Sequence, residues 1–497
     1  MLSFRTIIVA CSLVFCVAFA TNLSAQKKKP SKDDIKKMLE KKKEKPKKAS
    51  LDKLLQGDAS AWDLTPETFE KQWMPFFKWM KKDEKTGARY HMLSMPHKLD
   101  VFGYNVWEAV ARFKEGKLNE MEISLYNRGD AGARDHVTVI ANGKPVKKPN
   151  LHWDGKKFHA VLKGLNEKIN AWLGIKGKVM PPRKLVGTSK DAIYEEYWVK
   201  GDRCVGLQWS GTQASKTTFR PAYLKLVYCK FDPHNDPRKM MTRAKNAGRL
   251  ANVKNIKNNV QHKDDFTYVD NIPMVDQGPK GYCAVAATER ILRYYGSEVD
   301  QHQIAQVVGT ADRGTEAVKM FTMLQKAGPR LGVKMFPYLE PPDLHKDYSN
   351  DRRTRDYVKN LEKFNKFLKK KGERAVPYAY PLCSIMGSKD RLAYLKIYKC
   401  EKCKREFSKF KSNIKKNIDQ GMPIAWGLIV GIVPEEGREI PQGGGGHMRL
   451  IIGYNKDFSK LVFTDTWGAG HEFKTIDTED AWIVTTFYFV FKPSKKY

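Results

Sequence analysis

The stretch DQGPKGYCAVAATERILRYYG, residues 276–296, decides how this chain is read. Turn residues lead into one cysteine, and an apolar pattern of helical spacing begins straight after it. Ala284, Ala287, Ile291, Leu292 and Tyr295 fall on one helical face, and Gly296 supplies a C-terminal stop. Cys283 therefore stands on the first turn, where unpaired N–H groups and the helix dipole favour negative charge. A thiolate forms more readily there than in bulk water, and the thiolate is the nucleophile. Gly278, Pro279 and Gly281 keep the approach bare, leaving room for a substrate backbone beside the sulfur. Gln277 offers a side-chain amide that can stabilise a developing oxyanion, with the Cys283 N–H as second donor. On Cys283 alone the plainer reading wins, because a free cysteine in a helix is commonly a core residue.

A nucleophilic thiol needs a base, and the base needs an orienting acceptor. Among 11 histidines, His447 has the most suitable context. It follows PQGGGG and opens MRLIIGYN, which reads as a buried strand ending in a turn. His471, in GAGHEFK, ranks second, and His302 lies on a polar stretch that reads as surface. The next strand, KLVFTDTWG, ends on Asp465, placed to meet His447 across a strand–turn–strand hairpin. Asp465 also fits an ordinary turn former, and Trp467 a core residue. The set as a whole is ordered: glutamine, cysteine at a helix start, histidine opening a strand, and an acid closing the next.

These motifs carry a family resemblance. QGPKGYCAVA resembles the Gln-Gly-x-x-Gly-x-Cys signature of papain-like cysteine peptidases, GHMRLIIGYN is similar to their histidine strand, and DTWG to their Asn-Ser-Trp-Gly element. The acid in place of asparagine and the YYG after the cysteine helix lean toward the bacterial bacteriocin-leader (double-glycine) peptidases. GTEAVKMFTMLQKAG is similar to a second helix of that group. The resemblance covers about residues 266–495. It implies a cysteine helix packed on an antiparallel sheet with the site in a cleft between them. It also implies Cys283 as nucleophile, His447 as general acid/base, Asp465 as orienting residue and Gln277 as oxyanion donor. Tyr282 stands where papain has serine, and no tryptophan follows Cys283.

Working outward, residues 1–25 read as a signal peptide. Arg5 precedes an apolar run from Ile7 to Ala20, with small-residue cleavage sites at Ala18-Phe19-Ala20 and Leu23-Ser24-Ala25. That run is shorter than the ~20 residues that span a bilayer, and no later stretch is long and apolar enough. The expected location is secreted or periplasmic. Residues 26–58 read as a Lys-rich disordered tail. Residues 59–230 read as a separate α+β domain of unassigned role, since VWEAVARF, MEISLYN, YEEYWVK, CVGLQWS and AYLKLVYC alternate apolar and polar positions. Residues 231–265 read as a basic linker. The papain-like domain at 266–495 carries a helical insertion at about 340–415. There Tyr357, Leu361, Phe364 and Leu368 share a face, as do Phe407, Phe410, Ile414 and Ile418. The expected fold class is α+β.

The formal net charge of +35 favours anionic partners, and the Lys-rich tail is the candidate tether to an anionic surface or acidic polymer. No zinc-finger spacing, RNA-recognition motif or basic region with heptads is present, so no specific nucleic-acid partner is expected. Six of the eight cysteines lie beyond residue 25, and export permits disulfides. Cys204 and Cys229 sit in two strand-like runs and are a candidate cross-strand disulfide. Cys400 and Cys403 form a lone C-x-x-C, read as a local disulfide or a reduced pair, since a zinc site wants a second pair. No metal or cofactor is expected. The sequence thus points to a secreted cysteine peptidase acting on peptide or protein substrates. The alternatives are a transglutaminase-like acyl transferase, a cell-wall peptide hydrolase, or an idle papain-like module held on an anionic surface.

Overall fold

The computed structural model describes residues 47–57, 61–80, 85–133, 139–146, 152–184, 191–234, 253–308, 317–340, 391–435 and 445–494, less a few gaps of one or two positions, with isolated positions between 362 and 372. The chain is mixed α+β, and its sheets are largely antiparallel. From Lys48 onward the described residues belong to one compact unit, in which two hydrophobic cores follow each other along the sequence.

The first core lies on a nine-stranded sheet. Helix α1 (Pro66–Trp73) starts at Thr65, whose hydroxyl accepts the Thr68 N–H at 3.3 Å. Strands β1 (Gly87–His91), β2 (Glu108–Lys114) and β3 (Lys117–Asn127) follow, then a short helix α2 (Arg128–Ala133). Helix α3 (Gly155–Leu173) is capped by Asp154, whose carboxylate accepts from Lys157 N–H at 2.7 Å. Its buried Phe158, Val161, Leu165, Ile169 and Leu173 recur at helical spacing and join the sheet's core. Strands β4 (Ala192–Lys200), β5 (Arg203–Gln213) and β6 (Phe219–Lys230) complete the sheet in the order β4-β5-β6-β3-β2-β1, with two-residue strands at the edges.

The second core surrounds an eight-stranded antiparallel sheet. Strands β7 (Val260–Lys263) and β8 (Phe266–Val269) lead to helices α4 (Cys283–Tyr294), α5 (Gln301–Val308) and α6 (Ala317–Ala327). Strand β9 (Val333–Leu339), helix α7 (Arg391–Ile418) and strands β10 (Ile424–Val430), β11 (Gly445–Asn455), β12 (Lys460–Thr464) and β13 (Lys474–Asp477) come next, closed by α8 (Thr478–Val484) and β14 (Thr485–Pro493). The strand order is β7-β8-β11-β10-β14-β9, with β12 pairing to β11 and β13 to β12. All seven residues of β10 are buried, as a central strand requires. Phe410, Ile414 and Ile418 of α7 are buried, and Phe410 packs on Trp482 and Tyr488.

Three sequence expectations need correction. The tail assigned to 26–58 ends earlier: Lys48–Ser50 pairs in parallel with Lys98–Asp100, and Leu51, Leu54 and Leu55 are buried, because their i, i+3, i+4 spacing gives that short segment an apolar face. The linker assigned to 231–265 is shorter, since β7 already pairs with β8 from Val260. Cys204 and Cys229 are cross-strand partners in β5 and β6, sharing a buried cluster with Tyr197, Val199 and Phe231, but both are free thiols. Register brings the two residues opposite each other, whereas a bridge also needs suitable side-chain torsions. Residues 1–46, Tyr357, Leu361, Phe364 and the side chains of Cys400 and Cys403 lie outside what is described.

The two cores meet at a polar seam. Lys225 of β6 ion-pairs with Asp300, just before α5, and with Glu122 of β3 at 2.9 Å. Arg89 of β1 pairs with Asp276 at 2.5 Å, beside Glu108 at 2.8 Å. Gly129 of α2 lies so close to Tyr282 that a Cβ there would come within 2.4 Å of the phenol ring. His302, read as surface, is buried in this seam between the rings of Tyr223 and Tyr282 and 3.9 Å from Glu108. Glu108 and Tyr223 come to it from the other core, which local sequence cannot reveal.

Candidate active site

Cys283 is the first residue of α4 and is partly exposed. Tyr282 occupies the N-cap position without a side-chain cap, so the first-turn N–H groups are not consumed by a hydroxyl or carboxylate from that residue. The sulfur accepts from the backbone N–H groups of Ala284 and Met448. Burial alone would raise the thiol, but the hydrogen bond and positive charge of His447, with the two amides, hold it below its ordinary 9.0.

His447 is the third residue of β11 and pairs across the sheet with Leu428 of β10. Its Nε2 lies 2.6 Å from Asp465 Oδ1, so Nδ1 is the ring nitrogen left for the thiol, with which the side chain hydrogen-bonds. Trp467 stacks on the imidazole at 4.6 Å with a 21° interplanar angle, fixing the ring plane. Burial pushes the imidazole toward neutrality, yet the Asp465 carboxylate and the Cys283 sulfur outweigh it and raise it to about 9. Both shifts run in the direction that favours an imidazolium–thiolate pair.

Asp465 follows directly on β12, whose Thr464 pairs with Leu450 of β11. Its carboxylate is fully buried. Burial would raise it, but His447 and Arg449, with the Thr466 N–H at 2.7 Å, hold it well below the usual carboxylate range. Arg449 Nε stands 2.6 Å from Oδ2, and its Nη1 donates to Glu435 at 2.9 Å. The guanidinium lies over the Phe463 ring at 4.6 Å and near Trp467 at 5.3 Å. Behind them, Arg290 of α4 donates to the Asp465 carbonyl at 2.5 Å, the Thr464 hydroxyl at 2.7 Å and the Pro273 carbonyl at 2.9 Å, tying the cysteine helix to the acid's strand.

Gln277 is clamped by the residue next to the acid. Its backbone N–H donates to the Thr466 carbonyl at 2.8 Å, and its Oε1 accepts from the Thr466 hydroxyl at 2.6 Å. With Oε1 engaged, the remaining polar end of the amide is the donor Nε2, which is what an oxyanion site needs.

The sequence-derived Cys283, His447 and Asp465 therefore come together in one hydrogen-bonded line, with Gln277 held by the neighbouring Thr466. His471 does not join them: its carbonyl accepts from Asp465 N–H and the Thr464 hydroxyl, and its ring meets the edge of Trp467. Pro279 lies outside the described residues. Sequence reasoning passed over Arg449, Thr466 and Arg290. Arg449 had a usable signal, because residues two apart on a strand share a face and His447 had already marked that face.

Elsewhere among the described residues, His91, Glu108 and Asp130 bring ligating atoms within 4.8 Å of one another in the seam. Arg89 already bonds Glu108, and His91 Nε2 is 3.0 Å from Asp130 Oδ2, so each of the three has a partner within the protein. Among the described residues no helix is long and apolar enough to cross a membrane.

No protein-family model matches this chain, and no curated protein matches it either.

Proposed function

We propose that the chain is a secreted cysteine peptidase of papain-like type, hydrolysing peptide bonds through Cys283, His447 and Asp465. The observation that carries this reading is the line Cys283–His447–Asp465, with the thiol held down, the imidazole raised to about 9 and the carboxylate at 2.6 Å. An imidazole raised beside a lowered thiol at a helix start is the arrangement that nucleophilic thiol chemistry needs.

In this reading the Cys283 thiolate attacks the carbonyl carbon of the scissile peptide. The carbonyl oxygen becomes an oxyanion that accepts from the Gln277 Nε2–H and the Cys283 backbone N–H. The His447 imidazolium gives its proton to the leaving amine as the C–N bond breaks, leaving a thioester and a neutral imidazole. His447 then takes a proton from water, whose oxygen attacks the thioester and releases the acid. The thiolate departs, and the imidazolium–thiolate pair is restored. Asp465, anchored by Arg449, fixes the ring orientation and stabilises its positive form. The positive net charge of the chain favours acidic polypeptides among its substrates.

The test is cleavage of an unbiased peptide library by wild type and Cys283→Ala side by side. Thiol-dependent products from the wild type, lost in the variant with the fold retained, are expected. Equal cleavage by the two proteins would remove the assignment.

A further inference from the structure

We propose that Arg89, on a strand of the first core, is a positioning residue for the loop that carries the Gln277 oxyanion donor, making the first core a permanent part of the catalytic unit. This rests on the peptidase reading and adds the question of what holds its electrostatic half in place.

The loop at 276–278 is gripped from several sides. Asp276 is the link: its Oδ2 meets Arg89 Nη1 at 2.5 Å, while its Oδ1 accepts the N–H of Gly278 at 2.7 Å. The carboxylate thus spans Gln277, with one oxygen tied to β1 and the other to the backbone just past the donor. Arg89 is itself buried and anchored by Glu108 Oε1 at 2.8 Å on its Nε. Gly278 has φ +69, a conformation that side chains resist, and a Cβ there would stand 3.2 Å from His91 Nε2 and 3.4 Å from Arg89 Nη2. The β1 residues therefore press against the loop where it turns. His91 is supported in turn by Asp130 at 3.0 Å. On the far side, Gly468 of the DTWG turn comes so near Asp276 that a Cβ would fall 2.8 Å from Oδ2. Gln301 reaches the Asp276 carbonyl at 3.3 Å, and Thr466 holds Gln277 directly.

The grips from the second core fix Gln277 in one direction, toward Asp465. Among the described residues, Arg89 is the cation that reaches the other. Without it, Asp276 would be a half-buried carboxylate with the Gly278 N–H as its remaining bond in this set, and the loop would be free to shift. A donor displaced by about 1 Å costs on the order of 10²-fold in rate. The first core therefore cannot be discarded after folding in the manner of a pro-region.

The experiment uses the full chain with Arg89→Gln and Arg89→Lys, the latter keeping a buried positive charge in case the former folds poorly. We expect kcat to fall about 10- to 100-fold in Arg89→Gln, with KM within about twofold and a smaller loss in Arg89→Lys. The rate of Cys283 alkylation by iodoacetamide against pH should stay as in the wild type, because the thiolate–imidazolium pair is set by His447 and Asp465. In a Gln277→Ala background the same Arg89→Gln change should cost little further, since both act on one donor. The active protein should retain residues 48–230 by intact mass. Undiminished kcat in Arg89→Gln, effects that multiply with Gln277→Ala, or an active form starting beyond residue 230 would each overturn the proposal alone. A wild type without Cys283-dependent turnover would instead sink the peptidase reading, and this proposal with it.

Discussion

His447 Nε2 and Asp465 Oδ1 lie 2.6 Å apart, across 18 residues of sequence and between two neighbouring strands. The pair does not stand alone. Asp465 has its second oxygen against Arg449, and Arg449 runs on to Glu435, so charges alternate from the thiolate inward: negative, positive, negative, positive, negative. Each buried charge has an opposite neighbour, which is the condition under which such groups are tolerated in a low-dielectric interior. Cys283 is partly exposed, whereas His447, Asp465 and Arg449 are buried.

Replacing Asp465 by asparagine keeps the shape but removes the charge that holds His447 positive. The imidazole should then lose its proton at lower pH, and the thiol should become harder to ionise. We expect kcat/KM to fall by about 10²- to 10⁴-fold, the range for a disabled acid–base group. The rate of Cys283 alkylation at neutral pH should fall as well. Steady-state kinetics and iodoacetamide labelling measure the two effects, and normal labelling in the variant would contradict the charge argument.

The pH dependence follows from the same pair. On the acid side, activity should rise as Cys283 ionises, at a pH below the thiol's ordinary 9.0 because His447 and two backbone amides favour the thiolate. On the alkaline side, activity should decline as His447 loses its proton near pH 9, where its value has been raised. The expected kcat/KM profile is a bell with its upper limb at about pH 9. These limbs belong to the coupled pair rather than to either residue alone. Folding stability should respond less. The raised His447 adds stability that is lost as pH rises toward about 9, and the lowered Cys283 adds stability that is lost as pH falls through its folded value, so the two trends oppose each other. A thermal-shift series across that range, set beside the rate profile, separates the two. An upper limb near pH 7 would mean that Asp465 does not hold the imidazole as described.

The three residues that come together, Cys283, His447 and Asp465, were legible because each announces itself locally. Cys283 stands where a turn becomes a helix, His447 where a glycine run becomes a strand, and Asp465 where a strand becomes a turn. The strands of the first core were legible through alternation, as in β3 and β6. What escaped was set by contacts between distant residues. His302 is buried because β2 and β6 of the first core bring Glu108 and Tyr223 to it, and no pattern near position 302 encodes that. Leu51, Leu54 and Leu55 were swallowed by the surrounding lysines in a reading by composition, although their spacing folds the end of that segment. The cysteine pair shows the opposite case. Alternation correctly put Cys204 opposite Cys229, but register alone does not make a bond. Arg449 needed the question of what a buried aspartate does with its second oxygen, which arises only once the first is known to be taken.

The seam offers a test that touches no reacting group. A methyl added at Gly129 would fall within 2.4 Å of the Tyr282 ring, and Tyr282 immediately precedes the nucleophile. Gly129→Ala should therefore destabilise the chain by about 1–3 kcal/mol through overpacking. It should also slow turnover, as the start of α4 is pushed aside. Adding Tyr282→Ala should relieve the clash, so the double variant should be more stable than the sum of the single losses predicts. Denaturant melts of the four proteins measure the coupling, and strict additivity would mean that the two residues do not touch.

Arg449 gives the sharpest separation of structure from chemistry. Its side chain is fully buried, pairs with both Asp465 and Glu435, and lies over Phe463. Arg449→Leu would leave two buried carboxylates facing an apolar side chain, a loss of about 3–5 kcal/mol for a broken buried pair. Arg449→Lys keeps the charge but cannot hold two carboxylates with a planar fork, so a smaller loss is expected. Because Asp465 then loses the guanidinium on its second oxygen and keeps His447 and the Thr466 N–H on its first, either change should let the imidazole ring move, and kcat should fall more than KM rises. Denaturation curves and steady-state kinetics on both variants test this order, leucine worse than lysine. If Arg449→Leu were as stable and as active as the wild type, the alternating line of charges behind the thiol would have no mechanical role.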